Sequence, residues 1–244
     1  MIEAVQLRLM GYENRPAADL RLVNGRVYGI YDTGDGMAGA LLRALAGAEF
    51  PAEGTVRVGG FDTVAEPEKV GLCLGFCSSE SGYYDTMTVW DLMQFVAGMR
   101  GEDGEKGARD IHAILDSLDI DDLRNRRLGT LAPDDFRRAG LAQALVGNPD
   151  MLFLDNPTKG LKLDEAQILR EDIAQIAGDG KTVFLATDNA TEAELLCNRF
   201  LFCDGEGISA PMEKEELTDG TPTPARALFL RLSARETGEE GTEL

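Results

Sequence analysis

Apolar positions near the start of the chain alternate: Val5, Leu7 and Leu9 fall on one face of an extended segment, as strand geometry requires. From Leu20 to Tyr28 two strand pieces flank the turn dipeptide Asn24-Gly25. Val27–Tyr31 then leads into a glycine-rich loop, Asp32–Gly39, and at once into a helix over Ala40–Ala46 closed by Gly47. A strand, a glycine loop and a helix in succession place backbone N–H groups where an anion can sit. Pro51–Gly60 predicts a short strand and turn, and Val70–Phe76 an apolar strand. Residues 88–100 predict an amphipathic helix with Val89, Leu92, Met93, Phe95 and Val96 as its apolar members, followed by a polar surface loop over Gly101–Gly107. Further helices are expected over 108–118, 133–147, 163–177 and 190–197. Met151–Leu154, Thr182–Ala186 and Arg199–Cys203 read as strands, and the continuous apolar run at 151–154 suits a buried parallel sheet. Alternating strands and helices predict an α/β fold with a mainly parallel sheet.

Charge changes this picture more than size does. The 244 residues are 43% hydrophobic, enough for the core of one α/β domain, but the formal charge is -19. That balance argues against nucleic acid or an anionic lipid surface as the main partner. It also sits awkwardly with a tetra-anionic nucleotide. The N-terminus enters a strand pattern directly, without a basic stretch and apolar core, so no secretory signal is expected. No apolar run approaches the ~20 residues of a membrane span, and a cytoplasmic location is expected. Cys73, Cys77, Cys197 and Cys203 lack the spacing of a zinc knuckle and read as buried free thiols. His112, the single histidine, is expected in solvent on a charged helix.

Four segments, in order, carry a family resemblance: Tyr28–Gly47, Tyr83–Val89, Ala139–Asp150 and Met151–Thr158. The first resembles the Walker A region of ATP-binding cassette (ABC) transporter ATPases, and the second the segment after their Q-loop. The third looks like the helix after their signature motif, and the fourth like the Walker B strand and its sequel. Ala227–Leu232 adds a weaker likeness to cassettes of two-component exporters. The resemblance implies a P-loop NTPase-like ABC ATPase fold: a mainly parallel sheet, a small antiparallel β subdomain and an inserted α-helical lobe at about 82–147. It implies one domain over 1–235, and residues 236–244 then read as an acidic disordered tail. It also implies an integral membrane permease and a second ABC ATPase chain, in a hetero- or homodimer, as partners. The place would be peripheral, on the inner face of the cell membrane.

The family's chemistry is largely replaced. Its phosphate loop runs Gly-x-x-Gly-x-Gly-Lys-(Ser/Thr)-(Ser/Thr), and the gapless register puts Asp32, Thr33, Gly34, Asp35, Gly36, Met37, Ala38, Gly39 and Ala40 there. The Lys would reach the β- and γ-phosphates and the next hydroxyl would bind Mg²⁺. Ala38 has no charge and Gly39 no oxygen, while Asp32 and Asp35 add negative charge. A shifted register, with Gly34, Gly36 and Met37 as Gly-x-Gly-Lys, still lacks the Lys. The Q-loop Gln falls at Ser79. The signature Leu-Ser-Gly-Gly-Gln becomes Leu131-Ala132-Pro133-Asp134-Asp135, and the catalytic Glu becomes Asn156, which cannot take a proton from water. The D-loop Asp falls at Lys162 and the switch His at Asp188. Asp155, the remaining Mg²⁺ ligand candidate, and Tyr12, at the place of the adenine-stacking aromatic, still match. A hydrogen-bonded strand-end Asp and a loop Tyr explain these two as well, and Lys159 and Lys162 read as surface charges.

This pattern predicts an interaction protein that neither hydrolyses ATP nor needs ATP or Mg²⁺, paired with a competent cassette chain or docked on a permease. An alternative is a working transporter ATPase whose missing groups come from a partner chain. A third is an anion sensor built on the 32–39 loop, where helix-start N–H groups could still take a small anion.

Overall fold

The computed structural model describes residues 1–32, 34–78, 82, 85–102 and 104–217. In chain order these form β1 (Ile2–Arg8), β2 (Ala18–Leu22), β3 (Val27–Asp32), α1 (Met37–Leu45), β4 (Glu53–Val58), β5 (Phe61–Asp62), α2 (Pro67–Cys73), β6 (Leu74–Ser78), α3 (Val89–Met99), α4 (Gly104–Ser117), α5 (Pro133–Leu145), β7 (Met151–Asp155), α6 (Leu163–Gly178), β8 (Thr182–Ala186), α7 (Ala190–Leu196), β9 (Arg199–Asp204), β10 (Gly207–Ile208), β11 (Met212–Glu213) and α8 (Lys214–Leu217). Two compact units result: Met1–Gly71 with the segment from Thr182 onward, and Leu72–Lys181.

The first unit holds two kinds of sheet. β2, β1, β4 and β5 form an antiparallel sheet in that order. The alternating burial of β2 fits a sheet with one wet face. β3 lies between β8 and β9, parallel to both, and its first five residues are all buried. The two strand pieces expected around Asn24-Gly25 are present and the turn exists, with Gly25 at φ 73°; β2 pairs with β1, and β3 with β8 and β9. A two-sided apolar strand gains more between two parallel neighbours than beside a half-exposed partner. α1 covers this parallel sheet with an almost wholly apolar inner face, including Met37, Leu41, Leu42 and Leu45.

In the second unit β6 pairs parallel to β7. α5 packs on β6 so closely that Gly75 is required, since a Cβ there would stand 1.8 Å from the Ala144 carbonyl oxygen. α3 opens with a capping box in which Thr88 and Asp91 exchange bonds to each other's backbone N–H. Val89, Leu92 and Met93 are buried as expected, whereas Phe95 is 59% exposed.

Two expectations are corrected. Val70–Cys73 is helix, not strand: Pro67 at the first helical position and Glu68 in the first turn start α2, and extended structure begins only at Leu74. The loop expected over 101–107 stops at Gly104, where α4 begins, supported by Glu105–Arg109 and Lys106–Asp110 pairs one turn apart.

Cys77, Cys197 and Cys203 are buried and Cys73 is partly exposed; none forms a disulfide. Burial pushes the Cys77 thiol up to about 12 and raises Cys203 as well. Ellman's reagent at mildly alkaline pH should therefore label one thiol, Cys73, in the native protein and all four after unfolding. Rapid native labelling of two or more would contradict this packing.

Candidate functional site

The loop after β3 is closed by its own carboxylates. Asp32, the last residue of β3, accepts hydrogen bonds through both oxygens: Oδ1 from the Gly34 N–H at 2.8 Å and Oδ2 from the Ala38 N–H at 2.8 Å. Asp35 Oδ1 accepts from the Met37 N–H at 3.1 Å. A helix start leaves four N–H groups without intrahelical partners and carries partial positive charge. Here two of those donors, plus one in the loop, are taken by acidic side chains of the same segment. The donors expected to remain open to a small anion are thus already engaged at Gly34, Met37 and Ala38. Gly36 sits at the N-cap with φ 83°, a conformation that costs glycine little.

Neighbouring groups hold this arrangement. The Tyr12 hydroxyl donates to the Asp35 carbonyl at 2.7 Å. The Arg15 guanidinium lies 3.8 Å from the Asp35 carboxylate and donates to the Gly205 carbonyl at 2.8 Å. Met37, Ala38 and Ala40 point into the core and are 5% exposed or less. Tyr12→Phe removes one hydrogen bond to the loop, so a loss of about 1 kcal/mol and a melting point lower by ~2–4 °C are expected. An unchanged melting point would mean that this bond does not hold the loop.

The local field is negative. The Tyr12 hydroxyl is raised by burial and then by the charges of Asp35 and Asp32. Cys203, paired with Asp32 in the β3–β9 register, is raised by burial and then by the same two carboxylates. Tyr31 is pushed up to about 12 by burial, with Asp188 and Asp32 adding to it. Its hydroxyl donates to the Asp188 carbonyl at 2.7 Å. Asp188 itself is exposed. Beyond it, Asn189 caps α7 by accepting from the Thr191 and Glu192 N–H groups.

The second unit holds the other sequence-predicted positions. Asp155 ends β7 and is 8% exposed. The Asn156 side-chain amide donates to Asp155 Oδ1 at 3.0 Å, and Asn156 itself adopts φ 48°, a left-handed conformation that Asn tolerates. Asp134 and Asp135 occupy the first turn of α5 behind Pro133, where negative charge complements the helix dipole. The Asp135 carboxyl is raised by burial and then by Asp134, against Arg126, which lies 4.0 Å away. Lys162 bonds Glu165 through both its Nζ, at 2.7 Å, and its backbone N–H, at 2.9 Å. It is an exposed charge that closes the start of α6, and Lys159 is exposed too.

Ser79 and Thr33 lie outside the described residues, as do Tyr83, Tyr84, the Ala227–Leu232 segment and the tail. His112 corrects the expectation of a solvated ring: it is half-buried, its Nδ1 lies 3.3 Å from Asp121 Oδ1, and its ring centroid is 4.7 Å from that of Trp90. Among the described residues no three His, Cys, Asp or Glu side chains converge as a metal site would need. Arg15 is the functional-loop neighbour that sequence reasoning missed. Its two partners come from residues 20 and 190 positions away, for which the local sequence gives no signal.

Against known proteins, the family model described as "ABC transporter" matches residues 19–159. The ABC transporter ATP-binding protein NatA of Bacillus subtilis is 29% identical over 180 residues, 73% of this chain and 73% of its own length. The daunorubicin/doxorubicin resistance ATP-binding protein DrrA of Streptomyces peucetius is 27% identical, covering 93% of this chain and 68% of its own. Against ATP-binding cassette sub-family A member 7 of Rattus norvegicus the chain spans only 9% of that protein's length. The dimeric bacterial ABC transporter cassette MJ0796 superposes with a TM-score of 0.76 at 17% identity, covering 87% of this chain and 98% of that one. That structural likeness speaks to the fold alone.

Proposed function

The chain belongs to the ABC transporter family, and from that premise we propose that it is a cassette subunit that has become a non-hydrolysing pseudo-ATPase, its phosphate loop filled by its own carboxylates. It is a homologue of ABC transporter ATP-binding subunits with the mixed α/β cassette fold. The family binds ATP with Mg²⁺. The observation that carries the proposal is Asp32, which takes the N–H groups of Gly34 and Ala38 with its two oxygens.

The residues present do not fit Mg-ATP. A phosphate at this loop would have to displace a carboxylate and then remain beside it. Two unit charges ~4 Å apart repel by ~4 kcal/mol at an effective dielectric near 20. Ala38 offers no cation and Gly39 no hydroxyl to offset that cost. In the other unit Asp155 is bonded by the Asn156 amide, and Asn156 has no basic group to accept a proton from water. Reversed charge on an intact apolar framework supports a retained assembly role over random loss: the strand cores of β3, β7 and β8 are fully buried.

In this reading residues 1–235 make one cassette domain with a helical lobe at about 82–147. The partners are a membrane permease and a second, competent cassette chain, and nucleic acid is not a partner. The protein sits peripherally on the inner face of the cell membrane through that permease. Among the described residues no helix is long and apolar enough to cross a membrane. The test is phosphate release by the purified chain with Mg-ATP. Release at the protein-free rate is expected. Turnover that vanishes in Asp155→Asn would reject the proposal.

A further inference from the structure

The turn between β2 and β3 holds a reactive pair that the proposed function does not use. Of the chain's seven asparagines only Asn24 is followed by glycine. A backbone nitrogen can attack the side-chain carbon of the asparagine before it, and glycine hinders that approach least because it has no Cβ. Asn148 and Asn156 precede prolines, which carry no N–H to lose. Asn14, Asn125, Asn189 and Asn198 precede residues with side chains.

Asn24 and Gly25 are exposed, and nothing stands within 4 Å of where a Gly25 Cβ would be. Water can enter this turn and ammonia can leave it. The attacking atom, however, is held. The Gly25 N–H donates to Thr182 Oγ1 at 2.9 Å, and Thr182, the first residue of β8, is 1% exposed. Before it reacts, Gly25 must give up that proton and turn its nitrogen toward the Asn24 side chain. A hydrogen bond to a hydroxyl on a fully buried strand opposes both steps. The Asn24 side-chain oxygen also accepts from the Met1 amino group, a contact common to every chain compared below.

We propose that Asn24 is a site of spontaneous modification, by succinimide formation and hydrolysis, and that Thr182 sets its rate in the folded protein. The Gly25 nitrogen bonds to Asn24 Cγ while the Cγ–Nδ2 bond breaks, and the Gly25 proton departs with the amide group as ammonia. Water then opens the ring. Opening at Cγ gives aspartate, and opening at the main-chain carbonyl carbon gives isoaspartate. Solvent water is the one co-reactant. Either product places a new negative charge three residues before β3, and isoaspartate also lengthens the main chain by one carbon there.

The test follows residue 24 by peptide mapping and mass spectrometry in one mildly alkaline buffer, with the chain folded or unfolded in guanidinium chloride. The folded chain should convert Asn24 about tenfold more slowly or less, because its turn is fixed and its nucleophile is bonded. Thr182→Val keeps the β-branched shape and removes the acceptor. In the folded state it should raise the rate about fivefold, as loss of one hydrogen bond implies. Thr182→Ser restores a hydroxyl and should return the rate toward that of the unchanged chain. In denaturant all three chains should react alike, and a cooperative melt identifies each folded variant. Equal folded and unfolded rates in the unchanged chain would overturn the proposal whether or not the variants fold. So would a folded Thr182→Val that reacts no faster than the unchanged chain, or a Thr182→Ser that reacts as fast as Thr182→Val.

Discussion

Asp32→Gly should turn a loop that rejects pyrophosphate into one that holds it. The substitution removes both acceptors from the Gly34 and Ala38 N–H groups and deletes one negative charge from the helix start. At ~4 kcal/mol per misplaced carboxylate, affinity should rise by about three orders of magnitude. The same change should lower stability in plain buffer, because an acidic side chain that caps a helix start contributes ~1 kcal/mol. The two effects have opposite signs in one melting experiment. Without ligand the variant should melt ~2–4 °C below the unchanged protein. With pyrophosphate at 100 times its Kd it should regain ~2.7 kcal/mol, while the unchanged protein does not respond. Equal responses would mean that Asp32 does not block the loop.

Gly75→Ala should be strongly destabilising to the second unit. The new Cβ would meet the Ala144 carbonyl oxygen at 1.8 Å and its carbon at 2.7 Å. Both are backbone atoms of α5, so no rotamer change relieves the clash, and α5 must move off β6. Overpacking of this kind costs ~3 kcal/mol or more, or ~6–12 °C in melting point for a chain of this size. Gly71→Ala is the matched control. It lies within α2, nothing stands within 4 Å of its Cβ, and the higher helix propensity of Ala should stabilise by up to ~1 kcal/mol. If the two variants melt alike, the close approach of α5 and β6 is wrong.

Much of the fold was legible because its signals are local. The unbroken apolar runs at Met151–Leu154 and Val183–Ala186 read as buried strands, and both are. The Asn24-Gly25 turn was legible as well, but not the partners of its flanking strands, which are distant in sequence: β3 lies between β8 and β9. An error came where local alternation competed with a helix start. Val70 and Leu72 look like alternate strand positions, but Val70 is buried and Leu72 is 53% exposed on a helix that Pro67 begins.

For the candidate site, the sequence showed which groups were missing and that acids had entered. It could not show what those acids do. Asp32 reaches an N–H six residues on, and that bond depends on how the loop folds over the helix start. Carboxylates that look merely repulsive when counted are, in three dimensions, the ligands of the donors a phosphate would need. The contribution of Arg15 was illegible for a related reason, since its partner carbonyl is 190 residues away.

The central claim is tested most directly by calorimetric titration of the purified chain with Mg-ATP. The account predicts no saturable heat up to millimolar nucleotide, because the loop's N–H donors are already bound and neither a lysine nor a hydroxyl replaces them. Saturable binding with a micromolar Kd would contradict it.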